Sequence, residues 1–254
     1  MENSDMMSDF HLRPAQRSLL KTILAVAGTL LLLAVIFRNR WPDQHELLPE
    51  LFQEPVQIKT HLPPPFDVTQ NGYVYTVYPL FAYELWGMVV SSHYAGSFID
   101  YAHRMWKDYL NIKDLCVIWG KNLETGAFRK MKFWSRDFIC YYSWSDAERG
   151  RQFSSSHFAN NHLLTDNPRL RRIIKGVKRG DQIHFRGWLA RYGHKGSDVI
   201  RGTSTTRYDT GNQSCETVFV QEFEILRKAN PIWRAAIPVA LLFILFSLLL
   251  LVFF

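Results

Sequence analysis

The sequence has few of the signatures that announce an enzyme. It contains no Gly-x-Ser-x-Gly elbow, which excludes the exposed nucleophile of the α/β-hydrolases. Phosphate-loop and dinucleotide fingerprints are absent as well, removing the commonest nucleotide-binding classes. Asp209-Thr210-Gly211 resembles the loop of aspartic proteases, but the chain has no second copy to share the proton. Arg207 and Tyr208 precede it where those enzymes place apolar strand residues. His157 and His162 lie five apart, without the glutamate and four-residue spacing of a zinc-protease helix. Neither a metal nor a cofactor is therefore expected. Cysteine is scarce: there are three, an odd number that speaks against a fully paired framework. One-signed charge is also lacking, because residues 41–230 hold 24 Lys and Arg against 20 Asp and Glu, a net of +4. That balance is too mild to point to nucleic acid as a partner.

Long apolar runs, by contrast, are present twice. Leu19 to Phe37 (LLKTILAVAGTLLLLAVIF) is nineteen residues long with Lys21 its one charge. A helix of that length covers about 28 Å, close to the thickness of a bilayer core. The second run, 232–254, carries Arg234 near its start and no charge from Ala235 on, with Pro238 where a missing backbone N–H costs least. Neither run has the polar stripe of a core helix. A cleaved signal peptide is the competing explanation for the first, but Phe37 is followed by RNRWPDQ, with no small-residue cleavage site. The expectation is a tail (1–18), a first span (19–37), a proline-containing connector (38–65), an extramembrane domain (66–230) and a second span (232–254), with the lipid bilayer as a partner.

Which side the domain occupies is less plainly written. Arg13, Arg17 and Lys21 flank the first span on the tail side, against Arg38, Arg40, Arg227, Lys228 and Arg234 on the other. This count leans toward a cytoplasmic domain, yet a loop of this length can cross the membrane whatever its charge. Cys116 (LCVIWG) and Cys140 (FICYYSW) sit in strand-like runs and could face each other on paired strands. A disulfide there suits an oxidising periplasm, while two small buried thiols fit the same residues. A periplasmic domain is the favoured placement, with the cytoplasmic one left open.

Within the domain, β-branched and aromatic runs dominate: GYVYTVYPL and FAYELWGMVVSSHY with Pro79 between them, LCVIWG, FRKMKFW, DFICYYSW, QIHFRGWLARY, VIRGTSTTR and CETVFVQEFEIL. Gly187 inside one of them signals a bulge or sharp bend. One helix is clearly marked, TDNPRLRRIIKGVKRGD, with Asp166 or Asn167 as its cap, Pro168 in the first turn and Gly180 at its expected end. Its basic outer side suits the helix dipole and needs no ligand. The fold class is mainly β (α+β), a small bent sheet or OB-like barrel with one amphipathic helix, flanked by two transmembrane helices.

The stretch RGTSTTRYDTGNQSCE (201–216) collects hydroxyls, two arginines, an acid and a thiol around a turn. It is expected to form a hairpin whose polar face, with Arg201, Ser204, Arg207 and Asp209, holds an anion or carbohydrate, or else stays solvated. His162 is the other candidate binding residue. A hydrolase would use Ser204 or Cys215 as nucleophile and His162 as base, with Asp209 or Glu216 orienting it.

Several stretches together carry a resemblance: YELWGMVVSSHY, LNIKDLCVIWG, NNHLLTDNP, GDQIHFRGWL and RGTSTTRYDTGNQSCETVFVQEFEIL, spread over residues 72–227. On these the middle of the chain resembles a family of uncharacterised bacterial membrane-associated proteins. The resemblance implies a bacterial, membrane-tethered domain and carries over no catalytic residue. The function expected is non-enzymatic: a tethered domain that binds an envelope protein or polymer. The alternative is a membrane-anchored hydrolase built around His162 and the 201–216 stretch.

Overall fold

The computed structural model describes residues 12–59, 61–206, 209 and 215–254. In chain order the elements are α1 (Pro14–Phe37), β1 (Val56–Ile58), β2 (Phe66–Gln70), β3 (Tyr73–Tyr94), α2 (Tyr101–Met105), β4 (Asn111–Ile118) and α3 (Lys121–Glu124). There follow β5 (Met131–Arg136), β6 (Ile139–Trp144), α4 (Ala147–Gln152), β7 (Phe158–Leu164), α5 (Pro168–Gly176), β8 (Gln182–His194), β9 (Cys215–Arg227) and α6 (Pro231–Phe253). The chain divides into two compact units, Trp41–Ala229 and the segments that flank it.

The flanking unit is a helix pair. By length and composition α1 and α6 can each cross a membrane, with mean hydropathies of 2.4 and 3.0. Pro14 and Pro231 occupy first turns, where no backbone donor is lost. The pair meets along small residues: Ala27 and Ala34 in α1, Ala240 and Ser247 in α6, each two spaced by seven and buried.

The larger unit holds a seven-stranded mixed sheet ordered β1-β3-β4-β7-β9-β8, with β2 paired to β3. β3 also pairs with β8, so the pairings β3-β4-β7-β9-β8-β3 form a closed circuit, to which β3 adds β1 and β2 as further partners. The β7–β9 pairing is parallel and the remaining ones are antiparallel. One face of these strands supplies the main core, with Leu115, Val117, Leu163, Phe185 and Val218 fully buried. A second core lies on the other face, where Met88, Val90 and Ile118 meet Phe128, just before the separate β5–β6 hairpin, and Phe133 within it.

Four expectations change in the structure. The connector 38–65 is not a connector throughout: Leu47 and Leu51 are buried in the second core and β1 pairs with β3, so the folded unit begins at Trp41. The runs on either side of Pro79 form one strand, 22 residues long, and the missing N–H of proline is absorbed by a bulge between Pro79 and Phe81. The helix α5 is capped by Asn167, which accepts from the Arg169 and Leu170 backbone, but it ends at Gly176. Gly180 instead makes the left-handed turn into β8, with φ of 84°. Finally, 201–206 is not a strand paired with β9. Arg201 makes a single bridge with Tyr192, and Thr217 is held by side-chain bonds to Thr203 and Gly202 while β9 pairs with β7 and β8. Gly187 behaves as the sequence suggests: the register shifts there, and a Cβ would lie 2.1 Å from the Phe219 carbonyl oxygen.

Candidate functional site

Strand register places two rows of polar side chains across four strands. His93, Asp114, His162 and Thr217 are successive cross-strand partners on β3, β4, β7 and β9. Ser91, Cys116, Asn160 and Cys215 form the next row on the same face. Residues of the opposite parity, such as Leu115, Leu163 and Val218, turn to the main core, as the two-residue strand period requires.

Connections then fold over this face. Asp100 caps α2 by accepting from the His103 backbone N–H. Its Oδ2 lies 2.6 Å from His93 Nε2 and 2.5 Å from His103 Nδ1. His103 Nε2 is 3.0 Å from Asn111 Nδ2, which also donates to Asp114 Oδ1 at 2.8 Å. The same Asp114 oxygen is 2.7 Å from His162 Nδ1. On the other side of His162, the Arg201 guanidinium sits 3.5 Å from Nε2 and donates to Asp108 Oδ2 at 3.1 Å. Tyr192 donates its hydroxyl to that Asp108 oxygen at 2.7 Å. The result is one chain of contacts running from His93 to Tyr192. Asp100, Asp108, Asp114, His103, Asn111 and His162 are all buried.

Burial of so many ionisable groups requires pairing. Burial works against the charge of His162, but the charge and hydrogen bond of Asp114 and contact with the Cys215 thiol outweigh it, despite Arg201, and hold its pKa at about 9. Burial likewise opposes the Asp114 carboxylate, and His162, His103 and Asn111 reverse that, bringing it to about 2. The two form an ion pair at neutral pH. Arg201 is kept charged in the same way: burial opposes it, and Tyr192, Asp108 and Asp114 prevail. Burial pushes the Tyr192 phenol well up, with Asp108 adding to the effect.

Phe138, at the tip of the β5–β6 hairpin, covers the centre. Its backbone is left-handed, with φ of 64°, a conformation costly for a bulky residue. Its ring lies 3.9 Å from both the Arg201 guanidinium and the His103 ring centre. Its carbonyl accepts from Asn160 Nδ2 at 2.8 Å and from the Cys215 thiol at 3.8 Å. The Cys116–Cys140 disulfide, with Cα atoms 5.8 Å apart, fastens the hairpin to β4. A cavity of about 20 Å³, bordered by Trp106, Asp108, Tyr192 and Arg201, opens beside this cover. That is room for a single water molecule. Buried Asn111 Oδ1, Asp114 Oδ2 and Asn160 Oδ1 have no hydrogen-bond partner among the described residues.

Of the residues singled out in the sequence, the structure brings together His162, Arg201 and Cys215. Ser204 and Asp209 are engaged with each other instead: the Ser204 hydroxyl lies 2.8 Å from Asp209 Oδ2 and 2.7 Å from the Thr206 carbonyl oxygen. Thr206 and Ser204 hold the Asp209 carboxyl below its usual range. Arg207 lies outside the described residues. Sequence reasoning missed His93, Asp100, His103, Asp108, Asn111, Asp114 and Tyr192. A partial signal existed, because the short polar groups Ser91–His93, Asn160–His162 and Cys215–Thr217, and Asp114 with Cys116 two residues on, each adjoin apolar strand residues.

No protein-family model, curated protein or solved structure matches the chain.

Proposed function

We propose that the chain is a bacterial inner-membrane protein, spanning twice, that tethers a binding domain in the periplasm. The two long apolar helices support the tether. The Cys116–Cys140 disulfide supports an oxidising compartment, and the bacterial setting rests on the resemblance noted above.

We take the domain to be OB-like. Five strands paired in the circular order β3-β4-β7-β9-β8, with α5 between β7 and β8, support that assignment. Barrels of this type hold oligosaccharides or oligonucleotides on their second and third strands, between the connection of the first two strands and that of the last two. Here those strands are β4 and β7, and those connections carry Asp100, His103 and Asp108 on one side and Arg201 on the other. Coincidence of the polar rows with that location is the observation that carries the proposal. The ligand is a component of the cell envelope, a polymer or a protein; mild net charge argues against nucleic acid.

Two measurements test it. Alkaline phosphatase fused after Lys195 should be active, and an inactive fusion places the domain in the cytoplasm. The detergent-solubilised chain should co-sediment with purified peptidoglycan sacculi, and Arg201→Ala should weaken this. Co-sedimentation indifferent to Arg201→Ala would remove the polar rows from the binding reaction.

A second reading, the membrane-anchored hydrolase, is favoured by one contact. The Cys215 thiol touches the ring of His162, which is oriented by Asp114, and thiol hydrolases use this order of nucleophile, imidazole and carboxylate. Under that reading Asp114, rather than Asp209 or Glu216, is the orienting acid. Iodoacetamide should then label Cys215 faster in the native chain than in Asp114→Asn. Equal rates would count against it.

A further inference from the structure

We propose that His93, Asp100, His103 and Asp137 bind a divalent transition-metal ion of the zinc class, at a site that shares residues with the binding face above but does not rest on that reading. His93 Nε2, Asp100 Oδ2 and His103 Nδ1 lie within 4.8 Å of one another. Asp137 stands outside that group of three but next to it, with Oδ1 3.3 Å from His93 Nε2, near enough to add a second carboxylate. Two imidazoles and two carboxylates form a donor set suited to such an ion, with ligand bonds of about 2.0–2.2 Å.

The positions of these groups fit a site that fills from one side. Asp100 and His103 are buried, and Asp100 is fixed twice, by its helix cap and by the Arg104 side chain on its backbone carbonyl. His93 is slightly open, and the Asp137 side chain is 40% exposed on the hairpin turn. An ion therefore meets two buried ligands, Asp100 and His103, and its shell is completed by the more exposed His93 and Asp137. The Asp100 Oδ2 atom sits between the two imidazole nitrogens at 2.5–2.6 Å, where hydrogens hold the three together. Ligands around a tetrahedral ion stand about 3.3 Å apart, given those bond lengths. Loading opens the cluster by under an ångström and releases the hydrogens that the ion replaces.

His103 sets the main requirement. With Nδ1 on the ion its hydrogen moves to Nε2, which faces the Asn111 amide nitrogen. Asn111 Oδ1 is buried without a partner, and a half-turn of this amide supplies the acceptor that a ligating histidine needs. The turn replaces the Asn111 donor to Asp114 by an oxygen facing the carboxylate, a cost that metal binding has to offset, while Asp114 keeps His162.

The test uses the full-length chain in detergent, carrying no histidine tag, freed of metal by chelator and titrated with zinc sulfate. One ion per chain should bind saturably with release of protons, and the thermal midpoint should rise. His93→Gln and Asp137→Asn, the two more exposed ligands, should each weaken binding at least tenfold while leaving the chain folded. His157→Gln, which removes a separate pair with Glu54, should leave it unchanged. Absence of saturable uptake by the folded chain overturns the proposal, as does uptake that survives both ligand variants undiminished.

Discussion

The two faces of β4, β7 and β9 belong to the same strands and obey different rules. Towards the main core, Leu115, Leu163 and Val218 need only be apolar and of the right volume, since burial of apolar area stabilises them whatever their precise partner. On the opposite face, Asp114 and His162 are equally far from water, Cys215 is half-buried beside them, and each depends on a particular neighbour. The first face tolerates repacking. The second tolerates almost no single change, because half of a buried pair is worse than none.

That contrast can be broken most sharply at Asp114. Asp114→Leu strands the His162 charge and should cost about 3–5 kcal/mol, read from denaturant midpoints. Asp114→Leu combined with His162→Leu should recover most of this loss, and failure to recover would show that the wider network, not the pair, sets the penalty. Next in size comes the apolar face. Leu163→Ala should cost about 3 kcal/mol by loss of burial plus a cavity, with no dependence on pH. Opening the disulfide with Cys140→Ser should cost about 2–4 kcal/mol in the chain-entropy account.

A pH titration separates the faces by sign. His162 has its pKa raised from 6.5 to about 9, so its contribution is complete below pH 6.5 and is lost as pH rises through 9. Asp114 is lowered from 3.8 to about 2, so its contribution is complete above 3.8 and disappears as pH falls through 2. Lys113 acts oppositely: burial lowers it to about 8, with Lys178 contributing, and the penalty on its charge is relieved from pH 8 upward. The thermal midpoint should therefore fall from pH 6.5 to 8 in the native chain and stay flat there in the double leucine variant. The smallest effect is expected outside both faces, where the exposed Arg186–Glu222 pair should be replaceable by Ala–Ala without measurable change.

Much of the fold could be read from periodicity and breakers. The two apolar helices, the α5 cap at Asn167 and the bend at Gly187 follow from local rules that a single segment contains. The site could be read only in part. His162 and Arg201 were conspicuous, but Asp114 looks in sequence like one acid inside LNIKDLCVIWG, and only pairing of β4 with β7 sets it against His162. Asp100 and Asp108 act through a connection whose path depends on where β3 ends and β4 begins. Ser204 and Asp209 stood out for their chemistry, yet their nearness in sequence let them satisfy each other.

Cys116 and Cys140 are 24 positions apart, and Cys215 follows 75 positions after the second. A polypeptide threaded into an oxidant amino end first would present those two thiols together long before the third emerged. Order of arrival alone then selects the right bond, and the remaining sulfur reaches its place on β9 after its competitors have been consumed.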